Sequence, residues 1–192
     1  MTTICLIRHG ETDWNLKGKL QGSTDIPLNE TGIRQAKKSA VYLNAEDYDV
    51  MVASPMKRAK RTAEIINASL QLPYEEMSSF AECSFGDAEG LTIEERTTQY
   101  PDKAYPNREE PEDFIKRVMS GVDDVLKKYP DKRVLIVAHG AVINAILATV
   151  SGGEIGAGKT RLMNACINNI HYKQEKWEVL NYNQVEHLSE EL

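Results

Sequence analysis

The chain has 192 residues, 41% of them hydrophobic, which suits one domain of ordinary size, residues 1–192, with a full core. A formal net charge of −6 argues against nonspecific nucleic-acid binding. With no charged-then-apolar N-terminal segment, long apolar span or lipidation signal, a soluble cytoplasmic protein without a membrane partner is expected.

The first predicted element is the apolar run Thr3-Ile4-Cys5-Leu6-Ile7, which leads into Arg8-His9-Gly10. A continuous run of this kind closed by glycine reads as a strand buried on both faces. The polar stretch from Arg8 to Asn15 cannot continue that strand and reads as a loop presenting side chains. A helix from about Glu30 carries Ile33, Ala36, Ala40 and Leu43 on one face, and the strand Val50–Ala53 follows. Ser54 is placed as the N-cap and Pro55 as the first residue of a helix with Ala59, Ala63, Ile66 and Leu70 on one face. The stretch from Pro73 to Pro111 is loop-rich, with a short helix over Ile93–Gln99 ending before Pro101. A longer helix begins near Pro111 and carries Phe114, Val118, Val122, Val125 and Tyr129 until Pro130 stops it. A second buried strand, Val134–Val137, runs into Ala138-His139-Gly140 and the helix Ala141–Val150. Two strand-like segments, Cys166–Tyr172 and Trp177–Tyr182, form a hairpin through Gln174-Glu175-Lys176. Residues 186–192 read as a loose tail. The alternation predicts an α/β fold, a three-layer α/β/α sandwich on a mostly parallel mixed sheet.

Both His-Gly steps therefore fall at strand carboxyl ends, the edge where open α/β sheets bind ligands. If the two strands are neighbours, His9 and His139 face one another across one pocket. The segment Arg8-His9-Gly10-Glu11-Thr12-Asp13-Trp14-Asn15 matches Arg-His-Gly-x-Thr-x-x-Asn, and on it the chain resembles the histidine phosphatase superfamily, the phosphoglycerate mutase-like fold. The chemistry agrees. A phosphomonoester needs fixed donors around its equatorial oxygens and an in-line nucleophile, and neutral imidazole is competent near pH 7. His9 is expected to form a phosphohistidine that water later opens. Arg58 lies in the first turns of its helix, where amide groups already favour anions. The resemblance extends to Ser-Pro-x-x-Arg-Ala at Ser54–Ala59 and assigns Arg58 to the phosphate pocket, leaving Lys57, Lys60 and Arg61 as a solvated face.

The leaving alkoxide needs a proton. Composition alone does not separate the carboxylates between Glu82 and Gly90. The family pattern Glu-x-x-x-Gly-x-x-Glu-Gly makes Glu82 the general acid and later base, with Glu89 structural. Two positions depart from relatives: Ala81 stands where they commonly carry a basic residue, and Ala88 where many carry tryptophan. His139 is expected to complete a cage with Arg8, His9 and Arg58, and Gly140 to open a helix whose amides face the anion. The resemblance also places Asn15, Gln21 and Gly22 at the phosphate or its ester oxygen, with an ordinary surface loop the alternative for Gln21. His171 and His187 read as non-catalytic.

Cys5, Cys83 and Cys166 are odd in number and lack metal-ligand spacing, so neither a disulfide framework nor structural zinc is implied. Cys5 and Cys166 read as core residues and Cys83 as a partly exposed thiol. One rival motif, Gly153-Glu154-Ile155-Gly156-Ala157-Gly158-Lys159-Thr160, has P-loop spacing. That loop requires a buried strand before it, where Val142–Val150 reads as helix, so a chance match in a glycine-rich connection is expected. The expected activity is a metal-independent phosphatase of broad specificity for small phosphorylated metabolites, with no cofactor. The alternatives are a phosphoglycerate mutase, a non-catalytic phospho-ligand-binding domain and a P-loop nucleotide binder. By the resemblance, mutases of this family are longer chains whose extra segments enclose the site and supply cations for a carboxylate or second phosphate; this chain has few spare residues for such a lid, with Arg96, Lys103 and Arg108 as the candidates for that role.

Overall fold

The computed structural model describes residues 1–189. In chain order the elements are β1 (Thr2–Arg8), α1 (Asp13–Leu16), α2 (Glu30–Tyr42), β2 (Val50–Ala53), α3 (Lys57–Leu70), β3 (Tyr74–Glu76), α4 (Ile93–Gln99), α5 (Pro111–Lys128), β4 (Arg133–Ala138), α6 (Gly140–Val150), β5 (Ile167–Lys173) and β6 (Lys176–Gln184). They build one six-stranded sheet in the order β3-β2-β4-β1-β5-β6. Its first four strands are parallel, and β5 and β6 are antiparallel to their neighbours, the mixed sheet expected.

Alternate side chains of the strands enter two separate cores. Ile4, Leu6, Val52 and Ile136 pack with Val118 and Val122 of α5 and Ile143 and Ile146 of α6. Cys5, Ile7, Met51 and Leu135 pack with Ala40 of α2 and Ala59, Ala63 and Ile66 of α3. This burial on both faces is why the strands read as unbroken apolar runs. In the β1–β4 register Arg8 lies opposite Ala138, so His9 and His139 leave the sheet side by side at the same edge. The loop after His9 is pressed against α2. A Cβ on Gly10 would meet the backbone of Gly32, and one on Gly32 would meet that of Glu11, so both positions need glycine.

Several local expectations are corrected. The third helix starts at Lys57 with Met56 as its N-cap, not at Pro55 with Ser54. Ser54 Oγ is held by His139 Nε2 at 2.7 Å, and the Lys57 amide instead donates to Asp25 Oδ1 at 2.8 Å. Cys83 is buried, at 2% exposure, in the α5–α6 core. The hairpin turn is Gln174-Glu175, both left-handed, and Lys176 already belongs to β6. Residues 186–188 are no loose tail. They form a 3-10 turn in which His187 is buried, bonded to Ser39 Oγ at 3.2 Å and packed on Tyr42, while Lys38 Nζ donates to the Leu188 carbonyl. The rest of the expected tail, 190–192, lies outside the described residues. Two elements had no predicted counterpart. One is α1, opened by a Thr12–Asn15 capping box; the other is the polar edge strand β3.

Candidate active site

The rings of His9 and His139 lie 5.3 Å apart. His9 Nδ1 is 2.7 Å from the Gly10 carbonyl. A carbonyl only accepts, so Nδ1 carries the proton and the Nε2 lone pair is left free. Burial, then the charges of Arg58 and Arg8, hold His9 well below the ordinary imidazole pKa and keep the ring neutral. His139 is lowered by the same causes in the same order, with the neighbouring His9 between the two arginines. Ser54 Oγ accepts the Met56 amide and lies 2.7 Å from His139 Nε2; when the hydroxyl donates to Nε2, His139 Nδ1 is the protonated nitrogen. That Nδ1 is buried without a partner in the protein.

The two arginines come from different elements and are held alike. Arg58 is 1% exposed, its Nη1 donating to the Thr24 carbonyl at 2.9 Å and its Nη2 to that of Gly22 at 2.7 Å. Arg8, at the end of β1, donates from Nη1 to the Leu162 carbonyl at 2.6 Å. In both guanidinium groups the buried Nε has no protein partner. The loop that holds Arg58 is itself pinned by Glu89, which accepts from the Ser23, Thr24 and Phe85 amides. Gly22 turns there at φ +55°, where a Cβ would run into Glu89, Cys83 and Phe85.

Glu82 reaches the same space from the loop before α4. Oε1 accepts the Cys83 amide at 3.0 Å and Oε2 the Ala141 amide of α6 at 3.1 Å. Burial raises its carboxyl above the ordinary range, against the opposing pull of these amides, Arg58 and Arg8. Arg117 of α5 fixes this loop from behind. It donates to the Ser79 and Ala81 carbonyls at 2.9 Å each and pairs through two nitrogens with Glu109, which also accepts the Ser84 amide.

A cavity of about 510 Å³ joins these groups. Of the predicted site residues, Arg8, His9, Asn15, Gln21, Gly22, Arg58, Glu82 and Gly140 line it, while fully buried His139 meets it through the His9 ring. Asn15 Oδ1 is spent on Thr12 and Asn164, which leaves its amide nitrogen to the cavity; Gln21 Oε1 accepts from Thr12 Oγ. Arg96 lines the cavity, and Lys103 and Arg108 do not. Sequence reading missed Lys19, Phe85, Arg161 and Asn164, which come from loops without periodicity, and Asn144, a polar position inside α6. The P-loop-like segment follows α6 rather than a strand, and its Lys159 Nζ bonds to the Gly153 carbonyl. It does contribute Ala157, Gly158 and Thr160 to one cavity wall. His171 is away from the site, paired with Glu178 across the β5–β6 hairpin. Among the described residues no group of three or more His, Cys, Asp or Glu could hold a metal ion.

The family model for the histidine phosphatase superfamily, branch 1, matches residues 4–185. The chain belongs to this superfamily. It is 55% identical over 189 residues to "Uncharacterized phosphatase PhoE" of Bacillus subtilis (strain 168), covering 98% of each chain. It is 34% identical to "Metal-independent phosphoserine phosphatase" of Arabidopsis thaliana, covering 98% of this chain and 84% of that one. Among solved structures, Bacillus stearothermophilus YhfR superposes with a TM-score of 0.90 at 26% identity, covering 98% of this chain and all of that one. The superfamily and its phosphatase-named relatives make this chain a histidine-phosphatase-type phosphatase.

Proposed function

We propose that the protein is a metal-independent phosphomonoester hydrolase, acting on small phosphorylated metabolites through a phosphohistidine on His9. The observation that carries this reading is the trio of buried nitrogens without protein partners, Arg8 Nε, Arg58 Nε and His139 Nδ1, gathered around one neutral imidazole. Buried donors are normally paired, and each one left unpaired costs about 1–3 kcal/mol. A phosphoryl group, with three equatorial oxygens, is the ligand that pairs all three.

In the proposed reaction His9 Nε2 attacks phosphorus and the bond from phosphorus to the ester oxygen breaks. The two arginines, His139 and the amide end of α6 at Gly140 hold the charge on the equatorial oxygens. Glu82, with its raised carboxyl pKa, gives its proton to the departing oxygen. The resulting carboxylate then takes a proton from water, which attacks phosphorus and frees His9. The positive charges come from arginines, so the scheme calls for no metal, and one relative's name carries the same statement. We place the protein in the cytoplasm, where such metabolites are found; its three cysteines are free thiols, as is usual there.

The test follows a panel of phosphomonoesters, including phosphoserine and 3-phosphoglycerate, in EDTA with wild type and His9→Ala, recording phosphate and isomerised product. Phosphate release in wild type that is lost in His9→Ala is expected. Isomerisation without net release makes the protein a mutase instead, and silence across the panel favours ligand binding without turnover.

A further inference from the structure

Glu82 is held by a pair of residues that never touch the cavity. Neither Arg117 of α5 nor Glu109, just before it, lines that space, yet both bind the backbone that carries the carboxyl. Arg117 Nη1 donates to the Ser79 and Ala81 carbonyls, and its Nη2 reaches the Glu82 carbonyl at 3.5 Å. Nε and Nη2 also meet the two Glu109 oxygens at 2.9 and 3.0 Å. Glu109 is joined to the same loop in both directions: its amide donates to the Ser84 carbonyl at 2.9 Å, and its Oε2 accepts the Ser84 amide at 3.3 Å. The loop lies directly on α5, where a Cβ on Gly121 would run into Ser79. With side chains 29% and 23% exposed, this two-point pair is a fixed clamp rather than a mobile surface contact.

The clamp reaches the carboxyl through one peptide group. The Glu82 carbonyl and the Cys83 amide belong to the same planar unit and point in opposite directions. The oxygen faces Arg117, and the N–H donates to Glu82 Oε1 at 3.0 Å. Turning that plane away from Arg117 takes the amide from the carboxyl. The Ala141 amide on Oε2, at 3.1 Å, is then the one hydrogen bond left to it among the described residues. Misplacing a reacting group by about 1 Å can cost about 100-fold in rate.

We propose that Arg117 and Glu109 are positioning residues for the proton that Glu82 passes to the ester oxygen as its bond to phosphorus breaks. They govern how well the site expels a basic leaving group, and not how it holds the phosphoryl group. The proposal rests on the hydrolase reading for its chemistry, while its geometry can be tested without turnover.

Phenyl phosphate and p-nitrophenyl phosphate have similar shapes, and phenolate is the leaving group that needs the proton more. Their kcat/KM values are measured in wild type, Arg117→Met and Arg117→Lys, each alone and combined with Glu82→Gln. Arg117→Met should widen the gap between the two esters about tenfold, a part of the 100-fold or more, roughly, that general acid catalysis supplies. Arg117→Lys should recover some of this, because one ammonium can take the two carbonyls that Nη1 now holds. In Glu82→Gln protein the same changes should leave the gap alone, since no proton remains to be positioned. Loss of folded protein slows both esters alike and does not move the gap. Should Arg117→Met fail to fold, Glu109→Gln is read in its place, with a widening of about threefold.

The second readout is the amide spectrum of isotope-labelled protein against pH. The Cys83 and Ala141 amides both donate to Glu82, so in wild type they should shift together as that carboxyl titrates above its ordinary range. In Arg117→Met the Cys83 amide should lose this shift. Equal slowing of both esters, a gap that widens as much without the Glu82 proton, or unchanged amide titrations overturns the positioning role. Wild type silent with every ester, but with the Cys83 shift lost in Arg117→Met, would retain the clamp and reject the hydrolase reading. Phosphate release with unchanged titrations would do the reverse.

Discussion

Arg58→Lys is a charge-conserving change that the geometry predicts to be severe. The native guanidinium is 1% exposed and donates to two carbonyls, those of Thr24 and Gly22, at 2.9 and 2.7 Å, while its Nε has no protein partner. An ammonium on a shorter head cannot hold both carbonyls and also present a donor from the Nε position. Hydrogen bonds to a charged group are worth about 1.5–3 kcal/mol each. Loss of one carbonyl contact, partly offset by water entering from the cavity, should destabilise the protein by about 1–2 kcal/mol, or lower Tm by about 2–8 °C for a chain of this size. Loss of the Nε contact to the phosphoryl group should add about 1.5–3 kcal/mol to the barrier, a fall in kcat/KM of about 10- to 150-fold. Steady-state kinetics on p-nitrophenyl phosphate and a thermal melt read both effects. Lys57→Ala and Arg61→Ala serve as solvated-face controls and should stay within about twofold. A near-normal rate and melt for Arg58→Lys would place Arg58 on that solvated face and refute its role.

Glu82→Gln keeps shape and loses the proton, so kcat/KM, which reads the phosphorylation step, should fall far more for alkyl phosphates than for p-nitrophenyl phosphate, whose leaving group needs no acid; equal losses in kcat/KM on both would remove Glu82 as the acid. In wild type the rate should fall as pH rises through the raised Glu82 value, while the acid limb begins well below the ordinary imidazole pKa because His9 is held neutral. Stability should follow the histidines too: His9 and His139 bind protons in the unfolded chain below about pH 6.5 but not in the fold, so unfolding free energy drops as pH falls. In Glu82→Gln protein, where the raised carboxyl no longer takes up an opposing proton in the fold, they should together remove about 2 kcal/mol between pH 6.5 and 5.5 in phosphate-free buffer, and a flat profile by urea unfolding there would contradict their buried neutral state. Gly140→Ala separates activity from fold: its Cβ would sit 3.3 Å from Arg8 Nε, so kcat/KM should fall about tenfold while Tm holds or rises, because alanine favours the helix. An unchanged rate would show that Arg8 Nε does not need its present position.

The parts of this fold legible in the sequence are those whose cause is local. β1 and β4 are buried on both faces, so their apolar runs announce themselves, and the His-Gly that ends each puts both imidazoles at one edge. The boundary of α3 is not legible in the sequence because its first amide is satisfied by Asp25, 32 positions away in the chain, and Ser54 serves His139 instead. β3 is a polar, three-residue edge strand with no period to detect. Cys83 sits in an irregular loop, and only the packing of α5 and α6 shows that it is buried. Arg161 follows a glycine-rich segment with the spacing of a different motif, and the cavity it lines forms only where distant loops and helix starts meet.

The most direct test of the account is the covalent intermediate. Wild-type protein mixed with p-nitrophenyl phosphate in EDTA and quenched within milliseconds should carry one acid-labile phosphoryl group, mapped by mass spectrometry to His9, and Glu82→Gln, which still forms it from this substrate, should let it accumulate by slowing its hydrolysis. Phosphate release without any label on His9, or a label that persists in His9→Ala, would contradict the mechanism.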